Sequence, residues 1–250
     1  VTAGPTAGPT ARPTAVVVDD ATVIRQSIPA LMPAFDVVGS YSRVETLIAE
    51  RPHADLVILD LHLVNSTQPS ARQGVAAVRA VVAAGYRACV YSQEERRFVL
   101  AACLAAGATG IVSKSEPVES AQALFLDAMV GRIVVPQAII SLMELLVRRD
   151  CITILGERQR QVLAGRARGL TYAELSRTLF LSESTLRGYW RELTLGVSRY
   201  LQATTPSDIE RALGLGPGDL LDFWPGAADV PPGATGTSGG AASRDWWRLR

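Results

Sequence analysis

Apolar positions in the first half of the chain fall into short unbroken runs separated by longer stretches with helical spacing. Val16–Val18, Phe35–Ser40, Arg87–Tyr91 and Thr109–Val112 read as strands. So does Ala54–Leu63, ADLVILDLHL, which is apolar enough to be buried on both faces. Helices are expected at Ala21–Ala34, from Ser42 to about Arg51, at Gly74–Ala84, at Glu94–Ala106 and at Ser115–Val130. Ser42 with Glu45 makes a capping box, Pro117 falls in a first turn, and Pro29 and Pro33 weaken or end the earliest helix. This alternation predicts a doubly wound α/β domain, a five-stranded parallel sheet covered on both faces.

The pattern changes after Gly131. Ile139, Leu142, Leu145 and Leu146 make an apolar stripe over Gly131–Arg149, a linker helix. Gly156–Gly169 follows as a helix with Val162 and Leu163 inward. Thr171 and Glu174 form a capping box for Thr171–Phe180, and after the turn Leu181-Ser182 a helix capped by Ser182 runs over Glu183–Leu195. Two short helices on a tight turn make a small all-α helix-turn-helix. Leu186, Trp190 and Leu193 share its inner stripe. Ser184, Arg187, Gly188 and Arg191 fall outside that stripe and, with Thr185, are the candidate DNA contacts. Arginines there can reach phosphates or guanine edges, and the glycine permits close approach. The division expected is 1–14 disordered, 15–131 α/β domain, 132–151 linker helix, 152–214 helix-turn-helix and 215–250 disordered tail, Gly/Pro/Ala-rich and ending in DWWRLR with Trp246 and Trp247.

Composition narrows the class. The chain has 250 residues, 48% of them hydrophobic and 20% charged, enough for two globular domains. Its net charge of +1 gives no global bias toward nucleic acid, so any such surface is local. Ile152–Thr205 supplies one, with eight arginines against four glutamates. An ordinary solvated helix face is the structural alternative for those charges. Cys89, Cys103 and Cys151 are odd in number and lack metal-ligand spacing, as expected of core residues in a reducing cytosol. Neither a secretory leader nor a membrane span is expected. Of the 25 basic residues Lys114 is the one lysine, which suggests a position needing a compact ammonium.

Four of the five strands end on a chemically active side chain: Asp19 and Asp20, Asp60, Ser92 and Lys114. In a parallel sheet these ends share one edge, where open α/β sheets place ligands. Carboxylates gathered there repel one another, and Mg²⁺ is the natural compensation. Asp19, Asp20, Asp60 and the backbone carbonyl of His62 are the candidate metal ligands. Asp60 is the candidate phosphoacceptor, Ser92 a hydrogen-bonding partner of the phosphoryl group and Lys114 its neutralising cation. A solvated polar rim is the structural alternative.

At these residues the chain resembles the receiver domain of bacterial two-component response regulators, through the acidic pair of VVVDDA, the phosphoacceptor of LVILDLHL, the hydroxyl of VYSQ and the lysine of GIVSKS. The resemblance covers roughly Ala15–Gly131 and implies a flavodoxin-like or CheY-like fold, phosphotransfer from a sensor histidine kinase, and a shift of Ser92 and the fourth helix face toward the phosphoryl group. ILGERQRQVLAGRARGLTYAELSRTLFLSESTLRGYW is similar to the LuxR/NarL-type DNA-binding domain, with Arg187 in place of the usual lysine, Tyr189 of a frequent histidine and Gly156 of a threonine cap. It implies promoter DNA as partner, a homodimer when active, and a dimerising helix at Ser207–Leu213 after a longer connection than usual. Together these imply a cytoplasmic transcription regulator and not an enzyme.

The chain departs from the receiver pattern at Leu63 and Val64, where Met-Pro is usual, in the long loop Asn65–Gln73, and at Ile111, where an aromatic switch residue is usual. These departures keep open an atypical orphan regulator whose receiver is ligand-responsive or constitutive. An aspartyl phosphatase of the haloacid dehalogenase type is a further rival, but its general acid would stand where this chain has His62.

Overall fold

The computed structural model describes residues 12–68 and 71–220, so most of the N-terminal and C-terminal segments expected to be disordered, including Trp246 and Trp247, lie outside the described residues. The sheet order is β2-β1-β3-β4-β5, with every pairing parallel. Its strands are β1 (Thr14–Val18), β2 (Asp36–Tyr41), β3 (Leu56–Leu59), β4 (Ala88–Ser92) and β5 (Gly110–Ser113). Between them run α1 (Thr22–Leu31), α2 (Val44–Glu50), α3 (Gly74–Ala83) and α4 (Arg97–Ala105), and after β5 comes α5 (Val118–Met129).

Alternation of side chains along each strand divides the core into two layers. Ala15, Val17, Leu56, Ile58 and Val112 face α1 and α5, where Ile28, Met32 and Phe125 are buried. Val16, Val18, Val57, Leu59 and Val90 face α2, α3 and α4. This is the doubly wound α/β fold expected from the alternating runs. Its strand order reverses at β1 and β3, which opens a crevice at their carboxyl ends.

Beyond α5 the chain returns along β5. Val134 bridges Gly110 in parallel, and Ile111 N–H donates to Val134 O, which covers part of that edge. A Cβ on Gly110 would lie 3.0 Å from Cys89 Sγ and 3.1 Å from Val134 Cβ, so the close approach needs glycine there. The helical half follows: α6 (Gln137–Arg148), α7 (Glu157–Ala167), α8 (Tyr172–Leu179), α9 (Glu183–Ala203) and α10 (Pro206–Leu213). One buried cluster continues from the sheet through α4 and α6 into Leu163, Leu193, Val197, Leu201 and Ile209. The helix-turn-helix is therefore docked on the α4 side.

Several boundaries differ from those expected, each for a local reason. α1 stops at Leu31 because Met32, preceding Pro33, leaves the helical region at φ −126°, ψ 68°, while Pro29 is tolerated within the helix. No side-chain cap opens α2; Glu45 is occupied instead by the Arg72 N–H. α4 begins at Arg97 and not at Glu94. The largest difference is α9, which runs on to Ala203 because Val197 and Leu201 continue the buried stripe of Leu186 and Leu193. The connection to α10 is consequently short. Leu220, assigned to the tail by composition, is buried, and its N–H donates to Glu210.

Candidate functional site

β1 and β3 deliver three carboxylates to one place. Asp19, Asp20 and Asp60 each offer an oxygen, and these oxygens lie within 4.8 Å of one another. Asp19 and Asp60 are buried, at 2% and 5% exposure, and Asp20 is half-buried. Backbone amides fix two of them: Ala21 N–H donates to Asp19 Oδ1 at 2.9 Å and Leu61 N–H to Asp60 Oδ1 at 2.8 Å. The Arg25 guanidinium reaches back from α1 to the backbone carbonyls of Asp19 and Asp20.

Lys114, one residue beyond β5, extends its ammonium into this group, 2.7 Å from Asp19 Oδ2 and 3.0 Å from Asp60 Oδ2. Burial raises the Asp19 carboxyl above its ordinary range, and the Lys114 ammonium only partly offsets that. Burial acts to lower the Lys114 pKa, but the hydrogen bond to Asp19 and the charge of Asp60 outweigh it, leaving the ammonium above the usual lysine value. Ser92 is buried at the end of β4, where its hydroxyl accepts from Glu94 N–H and its carbonyl from Lys114 N–H. His62 follows two residues after Asp60 with an exposed side chain. The sequence-predicted side chains of Asp19, Asp20, Asp60 and Lys114 thus meet, with Ser92 on the adjoining strand end.

Three carboxylates facing one ammonium form a hard, negatively charged oxygen donor set. That chemistry fits Mg²⁺, which prefers carboxylate and water oxygens. The residues that would hold it are Asp19, Asp20 and Asp60.

The second candidate surface is the N-terminal half of α9. Ser182 caps the helix through its hydroxyl, which accepts from Thr185 N–H at 3.2 Å. Leu186 and Leu193 are fully buried, while Ser184, Thr185, Arg187 and Arg191 are exposed and Gly188 is half-buried. The Thr171–Glu174 capping box of α8 is formed in both directions. Arg187 lies 4.4 Å from the Tyr172 ring centroid and pairs with Glu183 at 3.3 Å. Ser184, Arg187, Gly188 and Arg191 face a cleft whose opposite wall includes Leu124 and Asp127 of α5. This face of α9 is turned toward the sheet domain.

No protein-family model matches the chain, and no curated protein does. Among solved structures, an RcsB response regulator from Salmonella typhimurium is similar at 16% identity over 82% of this chain and 100% of that chain, with a TM-score of 0.48. RcsB from Salmonella enterica serovar Typhimurium, bound to a promoter in the presence of phosphomimetic beryllium fluoride, is similar at 17% identity over 81% and 98%, with a TM-score of 0.47. The signal receiver domain of the putative response regulator NarL from Mycobacterium tuberculosis is similar at 21% identity over 49% and 100%, with a TM-score of 0.42. Likenesses this distant carry no functional argument. The chain's own geometry has to supply it.

Sequence reasoning missed the loop residues that close the pocket. Asn65 Nδ2 donates to Asp20 Oδ2 at 3.0 Å, and its own oxygen accepts from Thr67 N–H at 3.0 Å and Gln68 N–H at 3.2 Å. Gln68 is buried and donates to Leu63 O and to Ser42 O. Polar amides in a long loop were the available signal. Tyr91 was also missed: Lys114 Nζ lies 5.8 Å from its ring centroid, and that ring packs edge-on against Phe125.

Proposed function

We propose that the chain is a DNA-binding transcriptional response regulator, with residues 15–131 as receiver, 132–151 as linker and 152–214 as reading module. Asp60 is the phosphoacceptor. A carboxylate oxygen of Asp60 attacks phosphorus on a histidine kinase, the P–N bond breaks, and the imidazole leaves with a proton while the acyl phosphate forms. Asp19, Asp20, Asp60 and the His62 carbonyl are the groups that would hold Mg²⁺, which when bound would supply charge neutralisation for the phosphoryl group. Lys114 neutralises a further phosphoryl oxygen and Ser92 hydrogen-bonds another.

The observation that carries this reading is the shared core between the acid pocket and the arginine-bearing helix. α4 starts shortly after Ser92, and its outer face packs against α9, where Gln202 donates to Leu104 O at 3.4 Å. At ~1.5 Å per residue the continuous α9 spans about 30 Å, so its buried C-terminal half and its arginine-bearing N-terminal half move together. New charge on Asp60 biases Ser92 and α4, the shift moves α9, and the face turned toward α5 is released for promoter DNA. The active form is a cytoplasmic homodimer.

A genome-wide footprint with an Arg187→Ala control tests the reading module. Promoter occupancy is lost in that variant; retained occupancy refutes α9 as the reading helix. A second reading, a ligand-responsive or constitutive receiver, is favoured by Asn65, whose amide donates to Asp20 Oδ2 and so ties one of the three carboxylates to the long loop.

A further inference from the structure

A cleft of about 510 Å³ separates the sheet domain from the helix-turn-helix. Asp127 and Arg132 line one side; Arg166 of α7, Tyr172 of α8 and Arg187, Trp190 and Arg191 of α9 line the other. Its charges do not balance. Arg132 is paired with Asp127 and Arg187 with Glu183, but neither Arg166 nor Arg191 has an ion-pair partner among the described residues. One terminal nitrogen of Arg166 donates to Leu170 O at 2.8 Å, while its Nε is buried without a hydrogen-bond partner. The same guanidinium lies 5.0 Å from the Tyr172 ring centroid and 5.8 Å from that of Trp190.

Closing the two halves brings four arginines around one half-enclosed space. Like charges held together in this way oppose closure unless an anion sits between them. Guanidinium groups bind phosphate through paired, planar hydrogen bonds; because Tyr172 already carries the Arg166 and Arg187 guanidinium groups, a planar ring stacks on guanidinium faces turned into the cleft. The volume is within the range of small-ligand sites, roughly 300–1,000 Å³.

We propose that this cleft binds a small phosphate ester carrying a planar ring, of nucleotide size, which bridges Arg132 on the sheet side to Arg166 and Arg191 on the helical side. Its occupancy holds the module shut. Because Arg187 and Arg191 face the same space, the anion and DNA exclude one another; this exclusion rests on the DNA-reading proposal, whereas anion binding does not.

Calorimetry on the full, unphosphorylated chain in EDTA, titrated with AMP, GMP, adenosine and inorganic phosphate, tests the site with the acid pocket silenced. One mononucleotide binds at a single site at least tenfold tighter than adenosine or phosphate. Arg166→Gln and Arg132→Gln each weaken it at least tenfold. Arg132 is an exposed side chain, so its variant keeps the test decisive if Arg166→Gln fails to fold. Absence of binding, equal affinity for phosphate alone, or unchanged binding in both arginine variants overturns the proposal. In a promoter mobility shift the bound nucleotide reduces DNA affinity; binding of both at once overturns the exclusion. If no DNA binds in any condition, the DNA reading fails while the calorimetry still decides the cleft.

Discussion

Lys114 reaches across the strand ends to Asp60, its ammonium 3.0 Å from Asp60 Oδ2 while also bonding Asp19 at 2.7 Å. With 13% of its side chain exposed, Lys114 is the cation that touches this buried acidic pair. Lys114→Met leaves two buried carboxylates facing each other. Removing one partner of such a group costs roughly 3 kcal/mol. Urea unfolding in EDTA should show that loss, and Mg²⁺ should recover part of it by binding the same carboxylates. An unchanged midpoint in EDTA would contradict the compensating role of Lys114.

At the other end of the sheet Asp55 gives a pH dependence. Thr14 donates to one Asp55 oxygen through both its N–H, at 2.8 Å, and its hydroxyl, at 2.9 Å. The backbone bond first, then the hydroxyl, holds the Asp55 carboxyl below its ordinary range. A folded-state pKa below the unfolded value, about 3.9 for Asp, means the contribution is complete above the unfolded pKa and is lost as pH falls through the folded one. Thermal unfolding of the wild type and Asp55→Asn should therefore differ above about pH 4 and converge below it. A constant difference across that range would contradict this assignment.

The turn of the helix-turn-helix contains Phe180 at φ 55°, ψ 43°, with 92% of the residue exposed. A left-handed conformation costs a non-glycine residue on the order of 1 kcal/mol, and this ring buries almost nothing in return. Phe180→Gly should raise the melting temperature by about 2–4 °C. A lower melting temperature would show that the exposed ring has a packing role.

Much of the fold and pocket was legible because the information was local. Each of Asp19, Asp60, Ser92 and Lys114 ends an apolar run, so strand assignment alone put them on one edge. The Thr171–Glu174 box was readable for the same reason, since both partners lie within one turn. What was hidden depends on distant partners. Glu45 was expected to cap its own helix, but the Arg72 N–H recruits it. Leu195-Gly196 reads as a helix end, yet Val197 and Leu201 continue the helix because α4 stands opposite them. Asn65 gave no sign of reaching Asp20, because only the folded loop brings them together.

Leu201 tests the proposed link between that packing and the reading face. It is buried in the cluster shared by α4 and α9. Leu201→Ala should cost about 2–4 kcal/mol of stability. It should also loosen the docked module, so limited proteolysis between α6 and α7 accelerates and promoter affinity rises without phosphorylation. Unchanged proteolysis and affinity would separate α4–α9 packing from control of the reading face.

The most direct measurement is the intact mass of the protein after incubation with acetyl phosphate and Mg²⁺. One phosphoryl group added to the wild type, and none to Asp60→Asn or to the wild type in EDTA, is the result expected. A wild-type mass that does not change, or an adduct that survives Asp60→Asn, would contradict Asp60 as the phosphoacceptor.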